Sequence, residues 1–268
     1  LITDARYQTA FAGHYEDQHL VITRDYLGAV CDIIAKTGTG VMGFEAEIPY
    51  TAYSYLDENL VSDLVALPDV VDELRITKSV DEIDRLRASA RLADAGFEYV
   101  TSIVRPGMRE IDVSNLLDAF MRTHGASGPS FTTIVLGGAR AALPHGTASK
   151  ALLTAGQLVT LDFGYFLDGY TSDMTRTFAL GTPDDKLVTA YQAVQAAQQA
   201  VIDQVQAGAD TAQLDAVGRD LLTTAGYGDA FYHGMGNGIG LAFHECPLIS
   251  NNTTGPLFAN SVITVDPG

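Results

Sequence analysis

The sequence predicts a mixed α/β (α+β) protein in two parts, a smaller α/β segment over residues 1–75 and a larger domain over residues 76–268. Three observations predict it. Short β-branched runs alternate with helical patterns before residue 75. Longer helical patterns, with recognisable starts and stops, follow it. Between those helices lies a β-rich stretch with a two-residue hairpin signal.

In the first part, His19-Leu20-Val21-Ile22-Thr23 is strand-like, residues 25–36 are helix-like, and Gly38-Thr39-Gly40 leads into the strand-like Val41-Met42-Gly43-Phe44. Pro68 and the acidic run 69–73 suggest a boundary. A long helix is expected over 81–104, with Ser79 as cap and Glu82 three residues on. Ile83, Leu86, Ala90, Leu92 and Phe97 supply its apolar stripe, and Arg105-Pro106-Gly107 ends it. Further helices are expected over 109–124, 184–207 and 211–225, stopped by Gly125, Gly208 and Gly226. Residues 131–136 and 262–265 read as strands.

Composition excludes several classes of function. The chain of 268 residues is 47% hydrophobic and 18% charged, too apolar for a disordered protein. Sixteen Lys and Arg against 33 Asp and Glu leave a net charge of −17, with the basic residues scattered singly. Such a field repels phosphate backbones, so no nucleic-acid partner is expected. No apolar run approaches the roughly 18 residues that span a bilayer, so no membrane partner is expected either. Cys31 and Cys246 are too few for a disulfide framework or a thiolate zinc cluster, which fits two reduced thiols in a cytoplasmic protein. The chain begins in an apolar run and stops just after a strand-like one, and so reads as a window of a longer protein.

The stretch 158–178 carries the first chemistry. Asp168-Gly169 between β-rich runs is a preferred hairpin turn. That turn pairs Leu167 with Tyr170, Gly164 with Asp173 and Asp162 with Thr175. Asp162 and Asp173 then lie diagonally on one face, about 7–8 Å apart at Cα. Two carboxylates among apolar residues are costly unless something compensates them. One or two divalent cations would do so. A solvated open face, or pairing with Arg176, would do so as well. The Gly-rich run 232–245 holds His233 and His244 among four glycines, and glycines let the backbone approach a ligand closely. His145, in Leu143-Pro144-His145-Gly146, is a third candidate.

Together these motifs resemble the pita-bread metallopeptidases: methionine aminopeptidase, aminopeptidase P and prolidase. The nearest likeness is to the Xaa-Pro dipeptidase (prolidase) branch. The ordered set is Ser130-Phe131, Leu143–Gly146, Asp162-Phe163-Gly164, Gly169–Arg176, Gly226-Tyr227-Gly228, His233–Glu245 and Val265-Asp266-Pro267-Gly268. The resemblance implies a pita-bread catalytic domain, truncated at its C-terminal end and preceded by part of a creatinase/prolidase-type amino-terminal domain. It implies metal-dependent hydrolysis of Xaa-Pro dipeptides or amino-terminal Xaa-Pro bonds of short peptides. Two divalent metal ions (Mn, Co or Zn) and a homodimer are implied with it.

Carried over by position, Asp162 and Asp173 match the metal-binding aspartates. His145 matches the histidine facing the scissile amide, His244 the one that steadies the tetrahedral intermediate, and His233 a substrate-pocket histidine. Asn237 stands where the family has a metal-binding histidine. Asp266 stands where it has a glutamate that is both ligand and proton carrier. The final bridging glutamate would fall after Gly268. An amide oxygen is a weaker donor than imidazole for first-row metals. Aspartate keeps the charge of glutamate but loses a methylene of reach, a displacement that costs about 100-fold in rate when it misplaces a reacting group. Weak metal occupancy and impaired activity are therefore expected. Two alternatives use the same fold: a metal-independent creatinase-like amidinohydrolase relying on His145, and a catalytically inactive binding module.

Overall fold

A computed structural model of the chain describes residues 1–16, 19–67 and 70–268. The chain divides into two compact units, Leu1–Val71 and Asp72–Gly268. Pro68 and Asp69, part of the expected boundary signal, lie outside the described residues.

The first unit contains β1 (Ile2–Thr3), α1 (Gln8–Phe11), β2 (Val21–Ile22), α2 (Tyr26–Thr37), β3 (Val41–Glu45), α3 (Tyr50–Asn59) and β4 (Asp63–Leu67). The Asp25 side chain caps α2 by accepting from Gly28 N at 2.9 Å, and Gly38 closes it in the left-handed region. β3 and β4 pair in parallel. A parallel pair needs a crossover, and α3 supplies it. That helix was not expected from sequence, because Tyr50, Tyr53 and Tyr55 are weak helix formers. Its aromatics dock it instead, with the Tyr53 ring 5.4 Å from that of Phe44.

A short helix α4 (Val70–Ile76) precedes the elements of the second unit. These are α5 (Val80–Ile103), α6 (Glu110–Thr123), β5 (Gly128–Pro129), β6 (Ile134–Gly137), β7 (Gln157–Phe163), β8 (Tyr165–Leu167), β9 (Tyr170–Thr171), β10 (Met174–Leu180), α7 (Asp185–Ile202), α8 (Thr211–Thr224), β11 (Gly236–Gly238) and β12 (Glu245–Ile249). Helix α5 opens on the expected capping box: Glu82 N donates to Ser79 Oγ at 3.3 Å, and Ser79 N to the Glu82 carboxylate at 2.7 Å. The sheets are β10-β7-β6, β5-β8-β9 and β11-β12. One core fills the space between α5, α6 and the β6–β7–β10 sheet, with Leu117, Met121, Phe163 and Tyr165 fully buried. A second lies among α7, α8 and β12, around Val201, Leu222, Met235 and Ile249.

Three expectations need correction. Helix α7 ends at Ile202 rather than at 207, because the chain tightens into three-residue turns there: Gln204 N bonds to Val201 O and Val205 N to Ile202 O. Residues 131–133 do not join β6. The Phe131 ring packs on Phe243 instead, with centroids 5.1 Å apart. Residues 262–265 form no strand and make one isolated bridge, Gly238 to Ile263. They still run beside β11, where Thr264 N donates to Asn237 O at 2.7 Å.

The hairpin has the expected register. Leu167 pairs with Tyr170, and Asp162 with Thr175. Asp168 and Gly169 both have positive φ, 50° and 83°, as a type I′ turn demands. Between β7 and β8 the strands close up on Gly164. A Cβ there would sit 2.0 Å from Ser172 O and 2.5 Å from Ser130 Oγ. Backbone cannot give way as a flexible side chain can. Gly164→Ala is therefore expected to cost about 3 kcal/mol, at the upper end of overpacking penalties. Urea unfolding would measure it, and a loss under about 0.5 kcal/mol, the ordinary range for surface changes, would show that the strands part freely here.

Candidate metal centre and its histidines

The β7–β10 pairing sets two carboxylates. Asp162 lies on β7, between Thr175 of β10 and Ile134 of β6. Asp173 precedes β10, two residues from Thr175, so strand alternation brings it to the face Asp162 occupies. Asp266 arrives from beside β11, where its backbone N donates to Met235 O at 3.0 Å.

The three carboxylates act on one another. Burial pushes the Asp162 carboxyl up to about 6, against a hydrogen bond from Thr175, and the charge of Asp266 adds to the rise. Burial pushes Asp173 up to about 7, and both Asp162 and Asp266 raise it further. Burial also raises Asp266, opposed by His233 and His244. His145 acts on Asp162 in the same favourable sense. The structure thus gathers Asp162, Asp173, Asp266, His145, His233 and His244. His145 and His244 are exposed, and His233 is half-buried.

The donor set suits a divalent cation in one respect and departs from it in another. Asp266 Oδ1 is buried without a hydrogen-bond partner, an expensive state for a carboxylate oxygen. Repelling, desolvated carboxylates are the surroundings that a cation compensates. Among the described residues, however, no group of three or more His, Cys, Asp or Glu is arranged to hold a metal ion. Asn237, expected among the ligands, is otherwise engaged. Its buried Nδ2 donates to Gly238 O and to Phe243 O, both at 2.8 Å. Its Oδ1 accepts from Thr264 Oγ1 at 3.2 Å. The amide ties β11 to the turn ahead of His244.

Each histidine rides on a segment held by a buried charge that sequence reading did not single out. The segment before His244 is closed by Glu245, which accepts from Ala242 N at 3.0 Å, from Lys78 Nζ at 3.1 Å and from Arg75. Burial raises the Glu245 carboxyl, but these bonds outweigh it and hold the group below its usual value. The His233 segment is held by Arg219, whose guanidinium donates to Phe231 O at 3.0 Å and His233 O at 2.8 Å. Arg219 is itself fixed by the fully buried Asp215. The His145 segment is tied by Glu110 and Arg140. A visible signal existed for one of them: Asp215 and Arg219 stand four apart on a helix, an ion-pair spacing. Its burial had no such signal.

Comparison with known proteins places this geometry. Residues 84–268 match the model of metallopeptidase family M24. The chain is 39% identical over 241 residues to the uncharacterized peptidase YqhT of Bacillus subtilis, covering 88% of this chain and 68% of that protein. It is 33% identical over 240 residues to the Xaa-Pro dipeptidase of Pyrococcus furiosus, covering 89% of this chain and 68% of that protein. The solved structure of the Xaa-Pro dipeptidase from Bacillus anthracis superposes with a TM-score of 0.95 at 39% identity, over 99% of this chain and 76% of that one. Fold, family model and sequence agree: the chain belongs to metallopeptidase family M24 and has the pita-bread fold.

Proposed function

We propose that this chain hydrolyses Xaa-Pro dipeptides or the amino-terminal Xaa-Pro bond of short peptides. The observation that carries the proposal is the cluster of three carboxylates, with Asp162 and Asp173 set on one face by the β7–β10 register and Asp266 held beside them with its Oδ1 buried and, among the described residues, without a hydrogen-bond partner. Asp162 and Asp173, set on one face by the β7–β10 register, are the residues that would hold divalent metal. A cation there supplies Lewis acidity and lowers the pKa of a bound water. Manganese fits an all-oxygen donor set better than zinc does.

The remaining groups have roles set by their placement. His145 and His244, exposed beside the carboxylates, donate hydrogen bonds to the oxygen of the scissile carbonyl as charge develops on it. Asp266, whose Oδ1 is buried with no hydrogen-bond partner among the described residues, takes a proton from the attacking water and returns it to the leaving proline nitrogen. His233 lines the substrate pocket, with its Nδ1 fixed 2.8 Å from Gly234 O. Asn237 holds the segment leading to His244.

One observation favours a second reading, a binding module without catalysis: the Asn237 amide is committed to two backbone carbonyls. Proline release from an Xaa-Pro dipeptide separates the two. Release that depends on added Mn²⁺, stops with chelator and is lost in Asp162→Asn is the expected result. Metal binding without release would favour the binding module. Release indifferent to chelator would favour a metal-independent hydrolase.

A further inference from the structure

Glu110 opens α6 with its side chain almost fully buried. Its Oε1 accepts from Gly137 N and from Arg140 Nε, both at 3.0 Å. Its Oε2 accepts from Ser149 N at 3.0 Å and from Ser149 Oγ at 2.7 Å. Arg140 extends the network by donating to Thr147 O at 2.8 Å. One carboxylate therefore ties both feet of the segment 137–149. Gly137 is the end of β6, which pairs with β7 and so with the strand of Asp162. The other foot is fastened to α6 as well: Ile111 N donates to Ser149 O at 2.9 Å and Glu110 N to Ala151 O at 3.0 Å.

Between the feet, apart from Arg140, backbone hydrogen bonds are few. A short turn over Gly138–Ala142 is followed by Leu143 N bonded to Arg140 O and a long bond from Gly146 N to Leu143 O. His145 stands exposed in this stretch. Irregular exposed backbone opens locally at small cost unless anchored. Burial would raise the Glu110 carboxyl, but the bonds from Ser149, Gly137 and Arg140 outweigh it and keep the group ionised. Hydrogen bonds to a charged acceptor are about twice as strong as neutral ones.

We propose that Glu110 is a positioning residue: by stapling both feet of the 137–149 segment it holds His145 at the carboxylate cluster. The inference rests on the peptidase proposal only for its kinetic consequence. Hydrogen exchange tests the staple itself, in wild type, Glu110→Gln and Arg140→Met. In Glu110→Gln, exchange over 137–149 is expected to accelerate about tenfold or more, and in Arg140→Met exchange over 140–147 is expected to accelerate less, with α5 and β7 unchanged in both, because local opening is set by local contacts. Turnover of an Xaa-Pro dipeptide by Glu110→Gln is expected to fall about 100-fold with KM within about twofold, the pattern of a misplaced group rather than a lost binding contact. Arg140→Met keeps the bonds of Glu110 to Gly137 and Ser149 and removes only those of Arg140, so acceleration confined to 140–147 supports the network, and none overturns it, should Glu110→Gln not fold. Unchanged exchange over 137–149, or acceleration spread evenly through α5 and β7, would overturn the proposal. A wild type that releases no proline would sink the peptidase proposal, while the exchange data would still decide whether Glu110 holds the segment.

Discussion

Asp173→Asn is expected to raise the unfolding midpoint of the metal-free protein by about 5 °C at pH 8, taking about 2 kcal/mol of relieved repulsion and the size scaling of the midpoint. The same change should abolish stabilisation by added Mn²⁺. The Asp173 carboxyl is raised to about 7 by burial and by two neighbouring carboxylates. An unfolded aspartate ionises near about 4. Between those values the folded chain keeps a proton that the unfolded chain releases. Stability of the metal-free protein from this group is thus greatest below about pH 4, falls as pH rises through the window, and levels off above about 7. Asp162, raised to about 6, adds a loss of the same sign over a narrower window. Asparagine carries no charge at any of these pH values, so the variant should melt with less pH dependence. Divalent cation reverses the order. It binds the folded wild type and stabilises it by mass action, and has less to bind in the variant. Calorimetry at pH 5 and pH 8, with chelator and with Mn²⁺, checks all four corners. A variant that melts at or below wild type in chelator at pH 8 would show that the carboxylates are not in conflict.

What the sequence made legible was local. Ser79 with Glu82, and Asp168 with Gly169, each specify their own geometry through groups a few residues apart, and the structure has both. The hairpin turn sets the register, and the register sets Asp162 against Thr175, so the relation between the candidate carboxylates Asp162 and Asp173 could be read by counting. What stayed hidden depended on partners distant in sequence. α3 forms because β3 and β4 need a crossover. Residues 262–265 have strand composition but too few partners along β11 to make a ladder. The buried charges show the same limit. Glu110 and Arg140 are thirty positions apart, and Lys78 and Glu245 are separated by 167. Nothing in their local patterns distinguishes them from surface charges. Asn237 was legible as a departure from the family pattern, whereas its hydrogen bonds to Gly238 and Phe243 were not.

Those bonds shape the outcome of repairing the site. Asn237→His with Asp266→Glu is expected to raise kcat/KM for an Xaa-Pro dipeptide by about 100-fold or more, the scale at which restored placement of reacting groups acts. Either change alone should do little. Imidazole is a better donor to first-row metals than an amide oxygen. Yet Asn237→His gives up two donations to backbone carbonyls, and stranding these acceptors, one buried and one partly so, costs about 1–3 kcal/mol of stability. Glutamate at 266 regains a methylene of reach for a carboxylate whose Oδ1 has no hydrogen-bond partner. Because both residues would share one metal, the second change is worth most when the first is present, and the effects should exceed additivity. The four proteins are to be compared at saturating Mn²⁺, with metal content measured beside the rates. A gain in bound metal that parallels the gain in kcat/KM is the expected result. A wild type already as fast as the double variant would make Asn237 and Asp266 working ligands as they stand. Bound metal without hydrolysis in all four proteins would point to the binding module, because the defect would then lie outside the two altered positions.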